Sequence, residues 1–85
     1  MNNINYYTAI YWNDSNVMAH YFTLTDEDIP DRLKNDPDRY AIEYVKKTIP
    51  KNSLLTLISK YDHKLQPGET ANGRIIFENG FRVHK

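Results

Sequence analysis

Cysteine is absent from this chain of 85 residues, so neither a disulfide nor a thiolate metal site can support its fold. A cysteine-free composition is compatible with a reducing cytoplasm, and that is the expected location. No apolar run approaches the roughly 18 residues of a membrane-spanning helix. The N-terminal stretch MNNINYYTAIYW has neither a basic leader nor an uninterrupted apolar segment, so no export signal and no membrane contact are expected. Net charge is missing too, with 11 basic residues balancing 11 acidic ones. That removes the overall basic field on which nucleic-acid affinity usually depends.

Catalytic spacing is equally scarce. Ser15, Ser53 and Ser59 sit in no nucleophile elbow. His20, His63 and His84 fall in no paired metal spacing. Asp26, Asp28 and Asp31 lack the glycine and terminal glutamate of a calcium loop. Asp62 precedes His63, but adjacency does not make a dyad, because such sites are defined by geometry. The expectation is a protein that is not an enzyme and has no cofactor and no metal.

What is present is an alternating pattern of β-branched and aromatic residues. Ile4, Tyr6, Thr8, Ile10 and Trp12 interleave with Asn5, Tyr7, Ala9 and Tyr11, the period of two that marks a strand. Asn13-Asp14-Ser15-Asn16 is a cluster of turn formers, and Val17 to Leu24 is a second run of strand length. The two predict an antiparallel hairpin. Thr25-Asp26-Glu27-Asp28 has the caps and early carboxylates of a helix start, limited to about two turns by Pro30. Asp36-Pro37 is a stronger start, since proline at the first helical position loses no hydrogen bond. From there Ala41, Ile42, Val45, Thr48 and Ile49 recur at helical spacing until Pro50.

Leu54 to Tyr61 is apolar on both alternating sets at its start, as in a strand under a helix or covered on both sides. Residues 62 to 73 form a turn-rich loop, long enough to be a contact element. Arg74 to His84 then contains two short runs joined by Asn79-Gly80, a dipeptide suited to a type I′ turn. The predicted fold is a single α+β domain over residues 1–85, in the order ββα(α)βββ. It is two-layered, with a mostly antiparallel sheet of about five strands and one main and one short helix on one face.

Two features suggest a binding role. Tyrosine occurs seven times, and tyrosine supplies large contact area at little entropic cost, which enriches it in interface hot spots. Charge is also divided along the chain: residues 1 to 38 hold seven acids against two bases, and the remainder holds nine bases against four acids. If the halves lie on separate faces, the dipole would steer association.

The leading expectation is therefore a protein-binding module, an inhibitor or adaptor acting by occupancy. Its expected contacts are Tyr40, Tyr44 and Lys47 on the helix flank, Asp26, Glu27, Asp28 and Asp31 in the acidic stretch, and Phe77 with Arg82 on the terminal hairpin. In that hairpin the turn register would place Ile75, Phe77, Arg82 and His84 on one face. The alternative is a nucleic-acid binder using aromatic and basic groups on an open sheet face. A third class is a homodimer joined through the terminal strand, whose Arg82 and Lys85 would instead discourage such pairing. The richness in Asn, Ile, Tyr and Lys resembles the compositional style of accessory proteins of AT-rich mobile elements and their hosts.

Overall fold

The computed structural model describes residues 4–66 and 73–79. The first hairpin consists of β1 (Ile4–Asn13) and β2 (Asn16–Thr25), paired antiparallel without interruption from Ile4 opposite Thr25 to Asn13 opposite Asn16. Asp14 takes a positive φ of 59° in the two-residue turn, a conformation that its short polar side chain tolerates. Two 3-10 turns follow, Asp26–Asp28 and Asp31–Leu33. The first is held at its start by the Thr25 backbone N–H and hydroxyl, which donate to the Asp28 carboxylate at 2.8 and 3.0 Å.

The helix α1 (Pro37–Thr48) begins as its sequence requires, with Pro37 in the first turn and the Asp36 side chain accepting from the Arg39 N–H at 3.3 Å. It ends before Pro50, with Lys46 and Lys47 in the last turn, where the helix dipole favours positive charge. β3 (Leu54–Tyr61) and β4 (Arg74–Glu78) complete an antiparallel sheet of strand order β2-β1-β3-β4. The domain is thus α+β with four strands among the described residues, against the five expected. The fifth, over residues 81 to 84, and the turn closed by Gly80 lie outside the described residues, as do positions 67 to 72 of the long loop. The short helix expected after Thr25 is instead the pair of 3-10 turns, because Pro30 interrupts the backbone hydrogen-bond series there.

One face of the sheet packs under α1. Tyr7, Ala9, Leu24, Ala41, Val45, Leu55 and Ile58 form the buried cluster. Ala9 and Ala41 are both fully buried in this layer. Phe22 organises the aromatic part of this layer, with ring centroids 5.2 Å from Tyr7, 5.4 Å from His20 and 5.0 Å from Tyr44.

Two bulges set which residues reach this core. Between β1 and β3 the register shifts after Ile10, so Leu57 lies opposite Ile10 and Leu55 opposite Tyr11. Between β3 and β4 it shifts again, pairing Phe77 with Ile58 but Ile75 with Ser59. A bulge inserts a residue and reverses the facing of everything beyond it. Ile75 and Phe77, expected on one face, are consequently on opposite ones.

Gly73 lies at the entry to β4, close against the Tyr61 ring. A Cβ at this position would meet Tyr61 Cε1 at 2.5 Å and the Lys60 carbonyl oxygen at 2.6 Å. The carbonyl belongs to the sheet and cannot yield cheaply. Gly73→Ala is expected to destabilise the protein by about 1–3 kcal/mol, measured as a lower urea midpoint with an unchanged slope.

Candidate functional site: the helix-free sheet face

The face opposite α1 is built by the alternate residues of each strand. Tyr6, Thr8, Ile10 and Trp12 lie on it from β1, and their partners Thr23, Tyr21, Ala19 and Val17 continue it onto β2. Tyr61, Ser59, Leu57 and Leu54 extend it across β3, and Ile75 reaches it from β4. Across β1, β2 and β3 this face carries no charged side chain, although 26% of the chain is charged. Glu78, paired with Leu57, is at its outer margin.

Five large apolar or aromatic residues of this face stand well out of the protein: Ile4 (50%), Val17 (56%), Tyr21 (63%), Leu54 (43%) and Ile75 (51%). Scattered single exposures of this kind are ordinary, but here they share one surface. At one end the chain after β3 passes over the sheet, and a groove of about 820 Å³ opens between Tyr6, Tyr21, Tyr61 and Leu65. Thr8 and Tyr61 also line it; both are more than nine-tenths buried, and their hydroxyl oxygens have no hydrogen-bond partner among the described residues.

The helix side is electrostatically different. Asp38, in the first turn of α1, accepts a hydrogen bond from the Tyr7 hydroxyl at 3.1 Å and pairs with Lys60 and Arg74, each at 3.0 Å. Burial pushes the Tyr7 phenol well above its ordinary range, reinforced by the Asp38 charge and by the hydrogen bond donated to it. For Asp38, desolvation pulls upward, but hydrogen bonds from Lys60 and Arg74, the Lys60 charge and the Tyr7 hydroxyl outweigh it and hold the carboxyl below its usual range. These contacts join the acidic and basic halves of the chain, as does the Arg32–Glu43 pair at 2.7 Å. The two halves therefore interlock at the helix instead of separating fully into opposite poles.

The contact residues expected from the sequence are dispersed. Tyr40 and Tyr44 are half-buried against the core, with ring centroids 6.5 Å apart, and Lys47 is exposed beside them. Glu27, Asp28 and Asp31 are exposed and Asp26 is half-buried, its carbonyl accepting from the Lys34 amine. Phe77 lies on the helix side, against the core and beneath the Lys46 amine at 5.7 Å. Arg82 lies outside the described residues. None of these described residues belongs to the uncharged face.

That face was detectable in outline. Both alternating sets of β1 are apolar or aromatic, and one helix of 12 residues covers only one side of a sheet. Asp62 and His63 do meet, at 2.7 Å, but at an exposed position. Among the described residues no group of three or more His, Asp or Glu could hold a metal ion, and no helix is long and apolar enough to cross a membrane.

Structurally, the chain is a two-layer α+β domain in which, among the described residues, no helix covers the second side of the sheet. No family model matches it, and no curated protein or solved structure matches it.

Proposed function

We propose that the protein is a non-enzymatic binding module that docks another protein on the helix-free face of its sheet, acting as an inhibitor or adaptor by occupancy. The observation that carries this reading is the concentration of exposed Ile4, Val17, Tyr21, Leu54 and Ile75 on a surface whose three longer strands contribute no charge. Interface centres are depleted of charge and enriched in aromatic and large apolar groups. The groove beside Tyr6 and Tyr21, lined also by Lys64, Gln66 and the Thr8 and Tyr61 hydroxyls that have no partner among the described residues, supplies a concave seat for an aromatic anchor that carries a hydrogen-bonding group. The partner this surface suits is an apolar patch or segment with few charges.

Nucleic acid is less well served. Stacking rings and phosphate-binding cations need to share a surface, and Lys64 is the one cation lining the groove among the described residues, whereas Lys60 and Arg74 are committed to Asp38 on the helix side.

Leu54 and Ile75 are exposed, so replacing both with aspartate tests the face with little burden on the core. In affinity capture compared between parent and Leu54→Asp/Ile75→Asp bait, a specific partner should be retained by the parent and lost by the variant. For the purified pair, a loss of about 2 kcal/mol is expected, about thirtyfold in Kd. Equal retention by both baits would refute the reading, as would retention of nucleic acid with a steep salt dependence.

A further inference from the structure

Among the described residues the sheet has β2 and β4 at its edges, and the two are unlike each other. β4 is five residues long, has a bulge against its neighbour, and carries Arg74 and Glu78 at its ends. Short length, a bulge and charge are the devices by which proteins keep an edge from pairing. β2, the opposite edge, has none of them. It runs ten residues, NVMAHYFTLT, without proline, charge or any break in its register with β1.

The geometry also says which backbone groups of β2 have no partner strand among the described residues. A two-residue turn closes on a hydrogen-bonded pair, here Asn13 and Asn16, and antiparallel pairs then alternate between bonded and non-bonded. Met18, His20, Phe22 and Leu24 therefore exchange bonds with β1. Val17, Ala19, Tyr21 and Thr23 direct their N–H and C=O groups away from the sheet. The same four residues place their side chains on the uncharged face.

We infer that β2 pairs antiparallel with β2 of a second copy of this chain, joining the two sheets across a two-fold axis. An antiparallel strand pair is self-complementary under such an axis. The absence of charge along β2 means that neither copy presents a like charge to the other, and the outward groups of Val17 to Thr23 on one copy match those on its partner. The contact is made by backbone groups and leaves the faces of both copies on one continuous surface. It differs from the terminal-strand dimer weighed from the sequence, and it does not depend on the docking reading above.

Proline at an outward position removes a donor needed by the second copy but no bond to β1, and edge strands accept proline there. The expected result in sedimentation equilibrium is a mass that doubles between low micromolar and millimolar parent protein. Ala19→Pro and Ala19→Lys should remain single chains with melting curves close to that of the parent. Hydrogen exchange supplies the second readout: in the dimer the amides of Val17, Ala19, Tyr21 and Thr23 should slow, while Met18, His20 and Phe22 are protected in parent and variant alike. Leu54→Asp/Ile75→Asp should still dimerise, which separates this contact from docking on the face. A single-chain mass at every concentration, no slowing at the four outward amides, or a dimer that survives in folded Ala19→Lys would overturn the inference.

Discussion

Ile58→Ala should lower the melting temperature by more than any other single truncation of an aliphatic side chain in the sheet. Ile58 is fully buried at the centre of β3, opposite Ala9 on one side and Phe77 on the other, within the cluster that packs under α1. Its neighbours cannot close the gap. Ala9 has only a methyl group, and Phe77 is already packed against the core. Truncating a buried isoleucine costs roughly 2–5 kcal/mol, the larger values arising where the cavity stays open. At roughly 4–8 °C per kcal/mol for a domain of this size, a loss of about 3 kcal/mol lowers Tm by roughly 12–24 °C. Ile58→Val keeps most of the volume and should cost about 0.5–1.5 kcal/mol. Calorimetry on both variants checks the result, and equal melting of Ile58→Ala and Ile58→Val would show that the core can collapse around the site.

The second large effect is expected at Asp38, where one carboxylate serves Tyr7, Lys60 and Arg74. Asp38→Ala leaves the hydroxyl of a phenol that is 1% exposed without its acceptor, and it leaves Lys60 half-buried without its counter-charge. The expected cost is roughly 2–3 kcal/mol. Asp38→Ala in a Tyr7→Phe background should cost less, since the orphaned hydroxyl is gone, and the double-mutant cycle measures that coupling directly.

The same cluster makes stability depend on pH from both sides. Asp38 is held below its unfolded value, so its contribution is fully present above about pH 4 and is lost as pH falls through the folded pKa. Tyr7 is held above its unfolded value, so its contribution is fully present below about pH 10 and is lost as pH rises further, because the unfolded chain ionises where the folded one does not. Urea midpoints should therefore be flat between these limits and fall on either side. In Tyr7→Phe the alkaline fall should shrink, and an alkaline limb identical to that of the parent would assign it to other groups.

How much of this was legible in the sequence varies by element. The period of two in Ile4 to Trp12, the Asp36-Pro37 start and the Pro50 stop each depend on chemistry within a few residues, and β1, α1 and β3 lie where those signals place them. Tyr6 and Tyr7 do face opposite ways, as neighbours on a strand must. The dispersal of the expected contacts has a different cause. Tyr40 and Tyr44 are four apart on a helix whether or not a sheet lies beneath them, and only the packing of Phe22 against Tyr44 draws that flank toward the core. Phe77 is assigned to the helix side by an extra residue in β4, which no local pattern announces.

Local propensity and spacing, read without coordinates, establish a small α+β domain with an antiparallel hairpin, one capped helix and more aromatic surface than one core can absorb. They cannot choose which side of the sheet the helix covers, because both alternating sets of β1 are apolar enough to be buried. That choice falls to long-range packing: Ala9, Ala41 and Val45 are buried together on one side, and Asp38 meets Tyr7, Lys60 and Arg74 only when α1 lies there. The other side, with Tyr21, Leu54 and Ile75, remains in water as a consequence of that packing.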